Sequence, residues 1–336
     1  RPRVQSDDGG CARMADEQKL AGMRDTGVAA PANPSRNRAV VVGNPVADEV
    51  RLDGVPVRRA CGGTATYASL TLRALGVDAM LVGAVGDDHH AMLRAPLEAA
   101  GVDLTGLRLA PEASTAYRLD YDGDTRERLV RLQHRGPAVR PNDVPTRPSD
   151  IAFVHVGPVA GEVLPETVAR LAAWGVPLGV DLHVLRRFSD DGAVRLGDAS
   201  ATGIDFGLFD TIKGAFDEIR KVAPAAGGDL HAAMRAIAAL GVRHVLATDG
   251  CHGALLLADG DIGVVPVFPT REIDATGAGD VFLAGFLAAR HVRDESAADA
   301  ARFGAAAASF VVEGPGASCL GDLASVLARR AALTIG

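Results

Sequence analysis

The sequence predicts an α/β fold with three αβα layers, in which helices cover both faces of a doubly wound, mostly parallel sheet, and a small β lid is added. Short apolar runs alternate with helical patterns along most of the 336 residues. Such alternation is typical of parallel strands that are buried on both faces. One long segment instead alternates with period two, as expected of a half-covered hairpin.

The regular elements begin after residue 37. Apolar runs bounded by glycine or charged residues predict strands near 39–42, 79–86, 151–157, 178–182, 242–250, 252–260 and 261–268. Helical spacing, often closed by a glycine, predicts helices near 64–75, 89–100, 163–174, 229–240, 277–291, 296–312 and 322–332. No long linker or internal repeat divides residues 38–336, so one domain is expected there.

Two hairpins are expected to form the lid. Residues 50–60 turn at Asp53-Gly54, and residues 114–132 alternate around a turn at Asp122-Gly123. Together they could build a small separate sheet over a site. Before the domain, residues 1–37 are polar and lack periodicity, which predicts a disordered tail.

The overall composition narrows the class of protein. The net charge of −7 argues against nucleic-acid binding through phosphate contacts and suits a small-molecule enzyme. The four cysteines are scattered without metal-binding spacing, so reduced thiols and a cytoplasmic location are expected. No apolar run approaches the roughly 18 residues of a membrane span. The chain opens on Arg1, with Met14 and Met23 as alternative starts.

The stretch "DATGAGD", residues 274–280, carries the clearest chemical signal. Its glycines precede an apolar helix, whose first turn has free N–H groups and the positive end of the helix dipole. The Gly277–Ala278–Gly279 backbone can therefore cradle a phosphate closely. Asp280 beside it suits a base that deprotonates an attacking hydroxyl. The simpler alternative is an acidic residue that only stabilises a helix N-terminus.

Other nucleotide motifs do not fit. Phe282 stands where a dinucleotide fingerprint needs its third glycine, and the chain has no Gly-Lys-Ser/Thr of a P-loop. The tripeptide "DFG" at 205–207 lacks the remaining signatures of a protein kinase.

"DATGAGD" resembles the C-terminal signature of the ribokinase-like (PfkB) carbohydrate kinase family, and the resemblance spans nearly all of residues 38–336. "GNPVADEV", "CGGTATYASLTLRALG", "VGAVGDD", "TDGCHGA" and "AAAASFVVEGPGA" are similar to successive family segments in the right order. The resemblance implies ATP-dependent phosphoryl transfer to an alcohol. It makes Asp280 the catalytic base and the Gly277–Gly279 backbone the anion hole.

The resemblance also implies roles for further residues. Substrate contacts are expected from Asp48, Gly62, Gly63, Thr64, Tyr67 and Arg187. ATP contacts are expected from Thr248, Gly250, Gly253, Gly277 and Gly279. Glu218 is expected to act on Mg²⁺ through water, and Asp274 with the Thr276 carbonyl lies where members often bind a potassium ion.

Departures from the family pattern bear on the acceptor. Ala215 replaces the asparagine of Asn-x-x-Glu, while Glu218 is retained, and Tyr67 replaces an asparagine typical of ribokinase. "VDLHVLRRF" resembles a segment of myo-inositol kinases, with His183 where the family segments carry an asparagine or glutamine. A myo-inositol-like polyol is therefore the first prediction. A nucleoside kinase and a non-catalytic nucleotide or sugar sensor are the alternatives, and a homodimer through the lid is also possible.

Overall fold

The computed structural model describes residues 36–123 and 128–333. Nearly all of the predicted tail lies outside this range, as do Met14 and Met23. The strands are β1 (Arg38–Val42), β2 (Val46–Leu52), β3 (Val55–Gly62), β4 (Asp78–Gly86), β5 (Leu107–Ala110), β6 (Ala116–Tyr121), β7 (Arg128–His134), β8 (Ile151–Val156), β9 (Leu178–Asp181), β10 (Arg186–Phe188), β11 (Val194–Leu196), β12 (Thr211–Ala215), β13 (His244–Thr248), β14 (Ala254–Ala258) and β15 (Asp261–Val265).

The helices complete the α/β alternation. They are α1 (Thr64–Ala74), α2 (His90–Ala99), α3 (Pro165–Ala172), α4 (Phe216–Val222), α5 (Leu230–Ala238), α6 (Ala278–His291), α7 (Ala297–Val311) and α8 (Leu323–Leu333). None of these helices, within the described ranges, is both long and apolar enough to cross a bilayer. The cytoplasmic location stays a prediction.

A large sheet forms the centre of the molecule. Across the described residues it has nine strands in the order β15-β14-β13-β12-β9-β8-β1-β4-β5. The strands from β13 to β5 pair in parallel, and β14 and β15 form an antiparallel edge. The predicted α/β fold with a mostly parallel sheet is confirmed.

Apolar layers cover both faces of this sheet. One layer holds Leu72, Phe282, Phe286 and Phe303 from α1, α6 and α7, all at most 4% exposed. The other packs α3, α4 and α5 against side chains that include Phe209. Burial on both faces explains why the strands are continuous apolar runs.

A second sheet lies apart from the large one, with strand order β3-β2-β6-β7. The two predicted hairpins are joined because β2 pairs with β6 in parallel. A small core of Val46, Val50, Tyr117 and Leu119 fixes this sheet against Val159 and Ala160. We call it the lid sheet.

The sequence pattern missed several elements. Lys213 interrupts the apolar run of β12, so the run does not resemble a buried strand. The helix α4 has only 7 residues, too few for a clear helical period. The strand β5 and the three-residue strands β10 and β11 are also too short to show a period.

Candidate active site

Polar side chains gather where the parallel strands of the large sheet end. His155 lies near the end of β8, Asp181 ends β9, and Lys213 lies in the second half of β12. Lys213 is directly opposite Asp181 in the strand register. The crevice outside the carboxyl ends of parallel strands is the usual ligand site of such sheets.

The loop before α6, residues 273–277, faces this crevice. Gly277 caps the helix with φ +86°, in the left-handed region. A Cβ at this residue would also run into the Tyr67 ring, so both conformation and space require glycine. A Cβ on Gly279 would collide with the Lys213 ammonium. The first turn of α6 therefore presents bare backbone with a cation directly against it.

Asp280 follows in the first turn of α6 and is only 7% exposed. Its Oδ1 atom has no hydrogen-bond partner among the described residues. Burial raises the pKa of Asp280 to about 6, the negative charge of Asp181 adds to the rise, and Lys213 and the Thr64 hydroxyl oppose it. The result is a carboxylate that can exchange a proton near neutral pH.

Asp181 is fully buried but remains charged. Its Oδ2 atom accepts a hydrogen bond from Lys213 Nζ at 2.8 Å, and its Oδ1 atom accepts one from the His183 backbone N–H at 2.9 Å. Burial opposes ionisation, yet the charge and hydrogen bond of Lys213 and the hydrogen bond from the His183 backbone N–H lower the pKa of Asp181 far below its usual value. Asp181 and Asp280 are thus neighbouring carboxyl groups with opposite pKa shifts, a pattern typical of sites that divide acid–base roles.

His183 links these groups to the start of α1. Its Nδ1 atom lies 2.9 Å from Thr64 Oγ1, 3.4 Å from Asp181 Oδ1 and 3.8 Å from Asp280 Oδ1. Burial and nearby Arg186 lower the pKa of His183 well below its usual value. The imidazole is therefore neutral at pH 7.

Asp181, His183 and Asp280 also satisfy the spacing of a metal site, since one ligand atom from each lies within 4.8 Å of the others. The Lys213 ammonium, however, already donates to Asp181 and supplies a positive charge within this cluster. The cluster is therefore better described as a buried group of charges that contains its own cation than as a metal site.

Asp48 faces the same crevice from the lid sheet. It is 6% exposed on β2, and a Cβ on Gly62 would overlap its carboxylate. Burial raises the pKa of Asp48 to about 7, Arg128 and Arg58 oppose the rise, and Asp274 and Asp280 add to it. Burial, followed by the charges of these three carboxylates, also raises the pKa of Tyr67. Asp48 from the first half of the chain thus lies close enough to Asp274 and Asp280 from the second half for their charges to interact.

Three lid side chains close on the loop before α6, and we call them the lid clasp: Arg58, Tyr121 and Arg128. The Tyr121 hydroxyl lies 3.1 Å from Asp274 Oδ1 and 3.0 Å from Thr276 Oγ1. Arg128 donates to Thr276 Oγ1, and Arg58 Nη2 lies 3.6 Å from Asp274 Oδ2. The predicted potassium ligand Asp274 is therefore already bound by the protein's own donors.

The remaining predicted residues occupy different environments. The Oε2 atom of Glu218 accepts the Ala215 N–H at 2.8 Å, which leaves Oε1 without a donor from the described residues. Thr248 ends β13 and donates to the Gly214 carbonyl at 3.3 Å. Gly250 begins a short 3₁₀ turn and Gly253 follows it, with φ of +54° and +99°.

The structure does not bring Arg187 to the base. Its guanidinium donates to the backbone carbonyls of Val184 and Arg186, both at 3.0 Å. Arg186 is the arginine whose charge acts on Asp280, His183 and Glu218. Sequence reasoning also missed Lys213. The chain has only three lysines, and the position of this one inside an apolar run was a usable signal.

A sequence model of the "pfkB family carbohydrate kinase" matches residues 39–321. The chain belongs to this family. The PfkB signature predicted at 274–280 is thus confirmed at the level of the family, and with it the assignment as a phosphotransferase that acts on an alcohol.

Individual PfkB relatives differ in the acceptors for which they are named. The chain is 30% identical to an inositol 3-kinase of Arabidopsis thaliana, over 83% of this chain and 75% of that protein. It is 32% identical to an ATP-dependent ribose-1-phosphate kinase of Halopiger xanaduensis, over 69% of this chain and 73% of that protein. One similar solved structure is a pyrophosphate-dependent kinase of the ribokinase family, complexed with a pyrophosphate analog and myo-inositol. The match has a TM-score of 0.73 and 20% sequence identity, and it covers 86% of this chain and 99% of that chain. That likeness supports the ribokinase-like fold.

Proposed function

We propose that this PfkB protein transfers the γ-phosphate of ATP to a hydroxyl of a neutral polyol, with a myo-inositol-like cyclitol as the first candidate. The observation that carries the proposal is Asp280, a buried carboxylate at a glycine-rich helix N-terminus whose pKa is raised to about 6. A binding module has no need for a base tuned to neutral pH, so this favours an enzyme over a sensor.

The geometry supports in-line phosphoryl transfer assisted by a base. The acceptor O–H bond breaks as the new O–P bond forms, the proton goes to Asp280, and ADP leaves with the electrons of the broken P–O bond. The Gly277–Gly279 backbone and the Lys213 ammonium stabilise negative charge on the phosphoryl oxygens. Asp48 orients the acceptor by accepting hydrogen bonds from its other hydroxyls.

Glu218 fits a role beside Mg²⁺. Its free Oε1 atom can accept from a water in the ion's hydration shell, while Oε2 is fixed by the Ala215 N–H. When bound with ATP, Mg²⁺ neutralises phosphate charge and so lowers the barrier to transfer. Ala215 offers no side-chain ligand, so Glu218 acts there without the usual asparagine.

Two features favour a cyclitol or sugar over a nucleoside. Phe153 is fully buried in the core, and the Tyr117 hydroxyl donates to the Val159 carbonyl within the lid sheet. Neither ring is free to stack on a base, which a nucleoside acceptor needs. The Tyr121 hydroxyl is held by Asp274 and Thr276. The inositol 3-kinase relative supports the cyclitol choice.

An acceptor panel tests the proposal. Purified protein with ATP and Mg²⁺ is offered myo-inositol, ribose 1-phosphate, fructose 6-phosphate, adenosine and cytidine, and ADP is measured, with pyrophosphate as a second donor. We expect the highest kcat/KM with myo-inositol and ATP. A preference for a nucleoside or a phosphorylated sugar would overturn the substrate class. ATP binding without ADP formation for any acceptor would favour a sensor.

The base assignment has its own variant. Asp280→Asn should still bind ATP but lose about 10²–10⁴-fold in kcat, the usual contribution of a general base. Asp294→Asn is the matched control, because that carboxylate is 76% exposed beyond the end of α6. Unchanged turnover in Asp280→Asn would exclude Asp280 as the base.

A further inference from the structure

The loop before α6 is joined to a second loop, residues 312–316. The Ile273 and Asp274 N–H groups both donate to the Val312 carbonyl, at 2.7 and 3.2 Å. The Gly316 N–H donates to Asp274 Oδ2 at 3.3 Å. We call this junction the seam. It adjoins the Gly277–Gly279 backbone, so the position of the anion hole depends on it.

Asp274 supplies the negative charge at the seam, and three hydrogen bonds and one cation already surround its carboxylate. A carboxylate has about four lone-pair sites. Oδ1 accepts the Thr276 N–H at 3.0 Å and the Tyr121 hydroxyl at 3.1 Å. Oδ2 accepts the Gly316 N–H and lies 3.6 Å from Arg58 Nη2. A potassium ion needs several free oxygen ligands, so the residues present do not fit one at this carboxylate.

Arg58 already places a positive charge at the seam. A Cβ on Gly316 would lie 3.4 Å from Arg58 Nη1, so the guanidinium rests against the backbone of the second loop while it pairs with Asp274 on the first. The Asp274 side chain is 10% exposed, so this pair is partly shielded from water. A guanidinium is always charged and bridges two partners with a rigid fork of donors.

We propose that the Arg58 guanidinium replaces a monovalent cation at the seam, so that turnover does not depend on potassium. This inference rests on the proposed kinase function. Arg58 acts through Asp274 and the loop before α6, and is therefore a positioning residue. Because Arg58 belongs to β3, the charge that orders the anion hole is carried by the lid sheet itself.

The test compares cations at constant ionic strength. ADP formation by the wild-type protein is measured in KCl and in tetramethylammonium chloride, at about 0.1 M so that screening is equal. We expect equal rates in the two salts. Strong activation of the wild-type protein by potassium would overturn the inference.

Removal of the Arg58 charge should make turnover depend on potassium. Arg58→Met keeps an unbranched apolar stem but is shorter, and it removes the charge and the donors of the guanidinium. Its kcat should fall about tenfold in tetramethylammonium, because the partly shielded ion pair that positions the loop before α6 is lost, and potassium should restore a large part of the loss. Arg59→Met is the control, because the neighbouring Arg59 side chain is 66% exposed and pairs with Glu49. No potassium rescue in a folded Arg58→Met protein would contradict the inference.

Thermal unfolding separates this inference from the proposed function. Potassium, compared with tetramethylammonium, should raise the Tm of Arg58→Met but leave that of the wild-type protein unchanged, since only the variant has room for the ion. This measurement needs no acceptor. It therefore remains decisive even if no acceptor in the panel is phosphorylated, and a potassium-dependent Tm in the wild-type protein would overturn the inference.

Discussion

At the scale of single residues, the site depends on two carboxyl groups with different environments. Asp181 keeps its charge because Lys213 and the His183 backbone N–H bind it. Asp280 has a free Oδ1 atom and lies beside that charge, so its pKa rises. The same kind of side chain thus keeps a fixed negative charge at one position and has a raised pKa at the other.

The first prediction concerns pH. Asp280 must be ionised to accept a proton, and its pKa is raised to about 6. Turnover should therefore be full above that value and fall as pH decreases through about 6, roughly tenfold per pH unit on the acid side. A kcat–pH profile measured with saturating substrates checks this. A flat profile down to pH 5 would contradict the assignment of Asp280 as the base.

The second prediction concerns His183. With a proton on Nδ1, His183 donates to Thr64 Oγ1, 2.9 Å away, and leaves the Thr64 hydroxyl to donate to Asp280, whose pKa it lowers. His183→Leu removes this donor, so the acid limb of the kcat–pH profile should shift to higher pH. His183→Gln keeps an N–H donor and should shift the limb less. Identical profiles for the two variants would argue against the chain of hydrogen bonds.

At the scale of elements, the glycine loop and α6 work together with β12. The loop offers bare backbone, and β12 places the Lys213 ammonium against Gly279. Lys213 is 3% exposed and bound to Asp181, so it has little room to move. The proposed anion hole therefore combines two elements that are more than 60 residues apart in the chain.

The third prediction follows from this contact. Gly279→Ala adds a Cβ that collides with Lys213 Nζ and shifts the ammonium away from the loop. We expect kcat to fall by on the order of a hundredfold, similar to the loss of one anion-hole donor. The Tm should also fall, because the displaced ammonium is buried and bound to Asp181. A kcat near the wild-type value would show that Lys213 does not act on the transferred phosphate.

At the scale of the whole molecule, the large sheet brings together residues from distant segments. The ends of β8, β9 and β12 supply His155, Asp181 and Lys213, and the lid sheet adds Asp48 from above. A dimer through the lid sheet stays a prediction. The edge strand β3 exposes two apolar side chains that a second copy could cover, Val55 at 62% and Val57 at 55% exposure.

The fourth prediction concerns global stability. His155 is fully buried, neither ring nitrogen has a partner among the described residues, and burial lowers its pKa to about 4. The unfolded chain binds this proton near pH 6.5, so stability is lost as pH falls from about 6.5 towards 4. By pH 5 the loss from His155 should be about 2 kcal/mol.

Urea unfolding at pH 7.5 and pH 5 checks this prediction. His155→Gln cannot titrate, so its stability should fall by about 2 kcal/mol less than that of the wild-type protein between the two pH values. The comparison cancels the other titrating groups, including Asp48 and Asp280. Equal losses in the two proteins would show that His155 is not buried in its neutral form.

The sequence by itself determined the features that are encoded locally. The alternation of apolar runs and helical periods predicted the α/β sheet, because burial on both faces makes each strand apolar over its whole length. "DATGAGD" predicted the anion hole and the base, because a helix N-terminus, bare backbone and a carboxylate lie within seven consecutive residues.

Only the tertiary structure decided which distant side chains complete the site. Lys213 reaches Gly279 through the register of β12 with β9, and Arg58 reaches Asp274 because the lid sheet docks on the loop before α6. The charge of Arg186 acts on Asp280, whereas the Arg187 guanidinium donates to the backbone carbonyls of Val184 and Arg186. No local pattern carries these contacts, since they arise from strand pairing and packing between residues far apart in the chain.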